Sequence, residues 1–262
     1  MELAERINDS SLQVRMKRLF TEGFMAIDIA EPLASFDADK NAADALQFMN
    51  KNDLDVVGVR RDGVVAGYVQ QQDLTGGKCG DHMHCFDKGI VLAETSFYPE
   101  VIDCLSRSRY CFISVLGSVG AVITQNDIQK PSVRMWLFGM ITIVEMFISR
   151  TIETKYPQST WQRELSPERL KKAEDLQNER KRRGQHVTLL DCLQLGDKAK
   201  ILMKDPEMRE DMGFESKRAA EKGSKDFESL RNNLAHAQDI ITTNWETIVV
   251  ISRRLNKIMT RI

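Results

Sequence analysis

The sequence predicts an α+β first half, residues 1–130, followed by an all-α helical bundle, residues 131–262. In the first half a unit of helix, strand, turn and strand occurs twice, about 55 residues apart. The second half holds helix-like segments joined by polar links. The charge also divides: residues 1–130 hold 13 Lys and Arg against 19 Asp and Glu, whereas residues 131–262 hold 24 against 19. A basic second half suits a chain whose second half meets a polyanion.

The composition is that of an ordinary globular protein. A chain of 262 residues can form one large domain or two ordinary ones, and it is 42% hydrophobic and 29% charged. The N-terminus is charged and lacks an apolar core, so we expect no signal peptide. Five cysteines, an odd number in a chain without a secretory signal, predict reduced thiols and a cytoplasmic location.

The repeated unit is visible from hydrophobic periodicity. In the first copy, helical spacing over 41–49 predicts a helix, and strands over 56–59 and 64–69 flank a turn at 61–63. A further helix is expected from near Asp73. In the second copy, helical spacing covers 101–105, strands are predicted over 112–115 and 121–123, and Gly117-Ser118 marks the turn. This pattern predicts two packed copies.

Each copy ends in a short motif. The second reads Ala-Val-Ile-Thr-Gln-Asn-Asp over 121–127, and the first reads Gly-Tyr-Val-Gln-Gln-Gln-Asp over 67–73. The repeat and its motifs resemble a tandem pair of CBS motifs, in which this place holds a glycine, two apolar residues, Ser or Thr, two variable residues and an Asp. The resemblance implies an adenosine nucleotide (AMP, ADP or ATP) as a regulatory ligand.

The resemblance also implies roles for individual residues. An Asp would accept both ribose hydroxyls, and a hydroxyl at the start of the adjoining helix would help to place the phosphate. We therefore expect the ligand first near Thr124 and Asp127. The first copy keeps Asp73 but has Gln70 in place of the hydroxyl, so it departs from the pattern. The alternative is that both copies serve only as a dimerising scaffold.

The most apolar run, 133–148, is interpreted as the central buried helix of the second half. It is shorter than the ~20 residues of a membrane-spanning helix and contains Glu145, so we expect no membrane partner. An ionisable group in a buried helix usually has a partner or a task. Glu145 therefore either pairs with an arginine, or lies on the exposed stripe, or lines a site beside Arg231 and His236.

The remaining second half is predicted to contain helices from Ser166, over 188–195, over 225–240 and over 243–258, with a polar loop over 205–216. The charged stretch 171–183 ends in a basic cluster. Such a cluster either follows an RNA backbone or forms a solvated helix face. Its members are Arg180, Lys181, Arg182 and Arg183.

The segment Arg231-Asn232-Asn233-Leu234-Ala235-His236 holds an arginine and a histidine close together. Such a pair can bind a phosphate and move protons around it. On a helix both asparagine amides would neighbour the imidazole and could fix its tautomer. Arg231 lies roughly 140° around the helix from His236, so its side chain must arc round or serve a site shared across a dimer.

This segment resembles the signature of HEPN domains, helical bundles that include RNA-cleaving toxins and defence nucleases. The resemblance implies metal-independent RNA cleavage, in which the 2′-hydroxyl attacks its own phosphate within a homodimer. His236 would act as general acid or base, Arg231 would stabilise charge on the phosphorane, and Asn232 would orient the imidazole or donate to the phosphate. The CBS-like pair would then regulate this dimer.

The function of the helical bundle is open between two interpretations. The helical bundle is either a nuclease or a non-catalytic module that binds a nucleotide or a protein partner through the same Arg and His. A zinc site at Cys79, His82, His84 and Cys85 is disfavoured, because the spacing matches no usual zinc knuckle and adjacent ligands strain a tetrahedral site. No metal cofactor is expected.

Overall fold

The computed structural model describes residues 15, 18–211, 213–236, 238–241 and 245–261. The chain packs as two compact units. The first unit comprises Phe24–Val133, and the helical unit comprises the described residues from Arg134 onward together with those before Phe24. The order of an α+β part and a helical part is as predicted. The division falls after Val133, and the described residues before Phe24 group with the helices.

The first unit contains two four-stranded sheets. Its described strands are β1 (Glu31–Pro32), β2 (Ser35–Asp37), β3 (Val56–Arg61), β4 (Val64–Gln70), β5 (His84–Cys85), β6 (Val91–Ala93), β7 (Tyr110–Val115) and β8 (Ser118–Thr124). One sheet has the order β1-β8-β7-β6 and the other β2-β3-β4-β5. Each sheet is built on an antiparallel hairpin, β3–β4 or β7–β8, with β2 or β6 running parallel to its first strand.

The two copies exchange their leading strands. The strand β1 precedes the first copy but pairs with β8 of the second, and β5 precedes the second copy but pairs with β4 of the first. Each sheet is therefore completed by residues from the other copy, which makes the pair one cooperative unit rather than two separable ones.

The two hairpins match residue by residue at a spacing of 54. Their second strands have the same burial pattern, and both ladders shift register at the same place, between Val59 and Arg60 and between Ile113 and Ser114. Both turns, Asp62-Gly63 and Leu116-Gly117, have positive φ at each central residue, as a two-residue type I′ turn requires. The predicted repeat is thus present in the backbone.

Two helices cover the sheets, α1 (Ala42–Asn52) and α2 (Tyr98–Leu105). The side chain of Asn41 caps α1 by accepting from the Ala43 N–H at 2.9 Å. The buried face of α1 packs on the interior of β3 and β4, with a core of Ala42, Ala45, Met49, Val57, Val59 and Val69. The helix predicted from near Asp73 is wrong: a 3-10 turn, Gln71–Asp73, ends there, and Gly76 and Gly77 adopt positive φ values that no helix continues.

The helical unit contains α3 (Pro131–Lys155, whose first residues belong to the first unit), α4 (Pro167–Arg182), α5 (Leu195–Leu202), α6 (Pro206–Asp211), α7 (Lys217–Ala235) and α8 (Trp245–Arg261). Residues 18–22 are also helical. The indole of Trp136 donates to the carbonyl of Phe20 at 2.9 Å. A Cβ at Gly139 would lie 2.0 Å from the Phe20 ring, so only glycine permits this approach.

The helix α3 has 25 residues, and within the described residues it is the helix long and apolar enough to cross a membrane by length and composition. The helix therefore extends beyond the apolar run 133–148 and is longer than the ~20 residues that a membrane-spanning helix needs. Core helices of globular proteins meet the same criterion, and Leu137, Ile141, Val144 and Ile148 of α3 are buried in the helical unit. Their spacing of three and four residues forms one buried stripe.

Three predicted segments differ from the structure. The polar loop expected over 205–216 contains α6, because Asp205 accepts from the Glu207 N–H at 2.9 Å and caps it. The helix expected over 188–195 is a 3-10 turn, Leu190–Cys192, followed by α5. The helix α7, which carries Arg231, begins at Lys217, where Ser216 caps it, and not at Lys225. It ends at Ala235 rather than Ile240.

Candidate functional site

Three helices of the helical unit meet around a small apolar cavity of about 20 Å³. A cavity of this size has room for roughly one water molecule, but its lining offers few polar partners, so it is a feature of core packing. The lining residues come from α3, α5, the residue after α5, α7 and the segment before α7: Ile141, Val144, Ile148, Leu195, Ala199, Met203, Phe214, Ser224 and Phe227.

The same three helices each contribute one side chain to a charged cluster. The Lys198 ammonium donates to Glu145 Oε1 at 3.0 Å, and Arg231 Nε lies 3.8 Å from Glu145 Oε2. The Lys198 side chain is only 5% exposed, Glu145 is 22% exposed and Arg231 is 45% exposed. Two cations therefore share one carboxylate, and the cluster presents its excess positive charge through the exposed arginine.

His236 lies at the end of the motif helix rather than inside it. It is the C-cap residue of α7, its N–H donates to the Asn232 carbonyl at 3.0 Å, and its side chain is exposed. The expectation that an asparagine amide fixes the imidazole differs from the structure: within the described part of the chain, no hydrogen bond joins Asn232 or Asn233 to that ring. The cause is the helix end, where the chain leaves helical geometry.

The position of His236 depends on Arg134. The Arg134 guanidinium donates to the carbonyls of Asn233 at 3.0 Å, Leu234 at 3.4 Å and Gln238 at 2.8 Å. These carbonyls flank His236 on both sides. A cation at a helix C-terminus satisfies carbonyls that have no partner in the helix and opposes the helix dipole. Arg134 thus fixes the backbone around His236.

The predicted RNA-binding cluster is partly neutralised. Glu179 pairs with Arg182 at 3.4 Å and with Arg183 at 2.8 Å. Arg180 donates to the Asp191 carbonyl at 3.3 Å, whereas Lys181 is exposed at the end of α4. The cluster therefore offers less free charge than its sequence suggests, and most of its side chains remain accessible.

The second motif of the first unit surrounds the carboxylate of Asp127. Its Oδ2 accepts from the Thr124 N–H at 2.7 Å and from the Thr124 hydroxyl at 2.9 Å, and its Oδ1 accepts from Lys130 at 2.9 Å. Lys130 also donates to the Ile29 carbonyl at 2.7 Å and to the Glu31 carboxylate. Burial opposes the charge of Lys130, but hydrogen bonds to Glu31 and Asp127 hold its pKa above its usual value.

The first motif is arranged differently. Asp73 Oδ2 is hydrogen-bonded to His84 Nε2 at 2.7 Å, and the Asp73 side chain is 27% exposed. The predicted ligand residue Gln70 accepts only a long bond from Gln72 at 3.4 Å. The ring of Tyr68 lies 5.3 Å from that of His84, which gives this motif an aromatic wall.

An aromatic cluster between the two sheets lies beside the first motif. Tyr68 and Phe112 are 4.8 Å apart, and Tyr110 is buried against both. Burial raises the pKa of Tyr110, Arg109 lowers it by a smaller effect, and the carboxylate of Asp55 raises it further. The Tyr110 hydroxyl has no hydrogen-bond partner among the described residues, which is a cost that a polar ligand atom or a water would remove.

The residues that face the two motif carboxylates occupy equivalent places in the repeat. In the register of the sheets Glu31 lies opposite Val122, and His84 lies opposite Tyr68, the residue equivalent to Val122. The leading strand of the other copy therefore supplies the group next to each motif: His84 at Asp73, and Glu31, acting through Lys130, at Asp127.

The four residues weighed as zinc ligands do not form a site. His82 Nε2 is hydrogen-bonded to the Gly76 carbonyl at 2.6 Å, His84 contacts Asp73, and Cys79 is buried while Cys85 is exposed. Among the described residues, no group of three or more His, Cys, Asp or Glu side chains is placed to hold a metal ion.

Three residues that organise these clusters were not predicted from the sequence: Lys130, Arg134 and Lys198. For Lys198 a signal exists, because Leu195, Ala199 and Leu202 place it on the apolar stripe of α5 once that helix is recognised. Lys130 and Arg134 act on groups about 100 residues away in the chain, and no local pattern marks such contacts.

Comparison with known proteins gives fold likenesses only. No family model matches the chain, and no curated protein matches it. Several solved structures of CBS-domain pairs are similar to part of it. One is CBSX2 from Arabidopsis thaliana in complex with AMP, at 16% identity and a TM-score of 0.38, covering 43% of this chain and 98% of that one.

Two further structures are similar to the same extent. The CBS domain of a bacterial CNNM/CorC family Mg²⁺ transporter in complex with ATP is 14% identical, has a TM-score of 0.37, and covers 48% of this chain and 96% of that one. A hemolysin-like CBS-domain protein of Oenococcus oeni PSU is 18% identical, has a TM-score of 0.36, and covers 44% and 93%. At these TM-scores the interpretation of the first unit rests on its own repeat.

Proposed function

We propose that the first unit is a CBS-type sensor of an adenosine nucleotide, and that the helical unit is the part it regulates. The observation that supports this most is the exact spacing of the repeat, with its two Asp-bearing motifs directly after β4 and β8. Asp127 accepts the ribose hydroxyls and Thr124 places the phosphate, while Asp73 offers a second acceptor. This corresponds to the non-catalytic alternative: a nucleotide-binding module within a dimeric scaffold.

The carboxylates of Asp127 and Asp73 differ in how many acceptor positions remain available to a ligand. A carboxylate has about four acceptor positions. Asp127 uses three of them on Thr124 and Lys130, whereas Asp73 uses one on His84. A ribose at Asp127 therefore requires a rearrangement of Lys130 or Thr124, and a ribose at Asp73 does not.

Calorimetric titration of AMP, ADP and ATP into the full chain tests the sensor. Asp127→Ala should weaken binding by about 1–3 kcal/mol, the usual cost of losing charged hydrogen bonds to a ligand. Asp39→Ala changes an exposed carboxylate in the same unit and should leave binding unchanged. If neither heat nor a thermal shift is seen with any nucleotide, the scaffold interpretation replaces the sensor.

The helix α3 gives the ligand a covalent route to the helical unit. It begins at Pro131, directly after Lys130, and it carries Arg134 and Glu145. A ligand with different affinity for two arrangements of Lys130 would shift their populations, and through α3 it would affect the positions of Arg134 and Glu145.

A second candidate function is metal-independent RNA cleavage by a homodimer. It is favoured by one observation, the ion pair at 3.8 Å between Arg231 and a carboxylate that Lys198 already neutralises. Arg231 would stabilise charge on the phosphate and His236 would transfer protons, with Glu145 as a positioning residue and Asn232 donating to the phosphate. Arg180, Lys181, Arg182 and Arg183 would contact the RNA backbone.

The test is cleavage of labelled RNA in the presence of EDTA, with and without AMP or ATP. His236→Ala and Arg231→Ala should each lower the rate by about 10²–10⁴. His186→Ala is the matched control, because His186 is an exposed histidine of the same unit. Activity that persists in both motif variants belongs to another site, and no cleavage under any condition leaves the non-catalytic module.

A further inference from the structure

Lys130 occupies the second motif in a way that the repeat does not require. The residue 54 positions earlier is Gly76, so the first copy has no ammonium at the equivalent place. The cation is therefore an addition to the second motif and not part of the shared scaffold.

The hydrogen bonds of Lys130 converge on the motif carboxylate and on the leading strand. It donates to Asp127 Oδ1 at 2.9 Å, to the Ile29 carbonyl at 2.7 Å and to Glu31. The Asp127 side chain is 11% exposed and that of Lys130 is 29% exposed, whereas Glu31 is 60% exposed. The Asp127–Lys130 contact is thus the shielded one, and Glu31 is the solvent-facing partner.

We propose that Lys130 is an internal competitor for Asp127 and sets the affinity of the second motif for a ribose diol. This inference rests on the proposed nucleotide-sensing function. Two hydroxyls need two acceptor positions, and Asp127 has one left. Binding withdraws Lys130 from Asp127 and leaves it on Ile29 and Glu31, so Glu31 assists the ligand by holding the displaced ammonium.

The proposal predicts opposite effects for two substitutions. Lys130→Met removes the competitor and should tighten binding of AMP about tenfold, the equivalent of one strong hydrogen bond to a charged group. Glu31→Gln removes the negative charge of the alternative partner, ties Lys130 more firmly to Asp127, and should weaken binding. Lys88→Met changes an exposed lysine of the same unit and serves as the matched control.

A second measurement uses the unaltered chain and guards against a misfolded variant. Lys130 should react faster with an amine-acylating reagent when AMP is bound, because its contact with Asp127 is lost. Peptide mass spectrometry with Lys88 as the internal reference reports this ratio. Slower acylation with AMP would mean that Lys130 binds the phosphate and would overturn the proposal.

The outcomes separate this inference from the proposed function. If Lys130→Met binds AMP with unchanged or lower affinity, the competitor role is wrong although the sensor stands. If the full chain binds AMP and Asp127→Ala binds it equally well, the ligand lies at the first motif and the inference fails alone. If no chain binds any nucleotide, both fail.

Discussion

The buried ion pair between Lys198 and Glu145 gives the sharpest prediction about stability. Lys198→Met leaves the volume of the side chain almost unchanged and removes only its charge and hydrogen bond. The pair is shielded, with 5% and 22% of the two side chains exposed. Breaking a buried pair by removing one partner costs about 3–5 kcal/mol, because the other charge is left without compensation.

The structure lowers this figure. Arg231 remains 3.8 Å from the same carboxylate, and Glu145 is not fully buried. We therefore expect Lys198→Met to lower the free energy of unfolding by about 2–3 kcal/mol, which corresponds to roughly 4–12 °C in melting temperature for a chain of this size. The double variant Lys198→Met/Glu145→Leu should recover most of the loss, because no charge is then stranded.

Thermal and urea unfolding of the four members of this double-mutant cycle measure the effect. Lys200→Met, an exposed lysine of the same helix, should stay within about 0.5 kcal/mol of the unchanged chain. A coupling energy near zero, or a Lys198→Met variant as stable as the Lys200→Met control, would refute the reasoning that the pair is shielded and energetically linked.

Three further predictions concern other contacts. Arg134→Met should lower stability by about 1–3 kcal/mol through loss of charged hydrogen bonds to carbonyls, and faster amide exchange around His236 in hydrogen-exchange mass spectrometry should localise the loss. Leu116→Asn should raise the melting temperature, since Leu116 is 92% exposed at φ 51 and a leucine in this region costs roughly 1–2 kcal/mol. The hydrogen bonds of Lys130 raise its pKa above the usual 10.5. The stability that Lys130 contributes is therefore complete below pH 10.5 and is lost as the pH rises through the raised pKa. Free energies of urea unfolding for the unchanged chain and for Lys130→Met should converge as the pH passes that value.

The hairpins of the first unit were predictable because their strands are long enough to show alternation and each turn contains a glycine. The second turn lies at Leu116-Gly117 and not at the predicted Gly117-Ser118, because leucine is not a residue that indicates positive φ. The leading strands β1 and β5 have two residues each, and they pair with segments of the other copy. Two residues are too few to show the alternation of apolar and polar side chains that predicts a strand. In the helical unit the helix starts that were not predicted follow Asp205 and Ser216. Asp and Ser are also common in loops, so the sequence alone does not show that these two residues cap helices.

The residue types of the charged cluster could be predicted from the sequence, whereas its geometry could not, and its function stays a prediction. Arg231 and Glu145 are brought together across α7 and α3, as one of the interpretations of Glu145 required. The helix end at His236 was missed because periodicity continues past Ala235 in the sequence, whereas Arg134 stabilises the termination from a distance. Tertiary hydrogen bonds decide such boundaries, and a single sequence does not display them.

The repeat supplies an internal comparison that separates packing from ligand chemistry. Buried positions of the two copies match in pattern, register shift and turn, because both must fill the same core. The residues around the two motif carboxylates do not match: His84 faces Asp73, whereas Lys130 faces Asp127. Core packing does not dictate these positions, so under the proposed sensor function we expect their difference to set how each motif responds to a ligand. Under the proposed function, a ribose at the first motif would displace at most one imidazole, while a ribose at the second would compete with Thr124 and with an ammonium held by three acceptors. On this proposal, binding at the second motif depends on the state of Lys130, the residue next to α3.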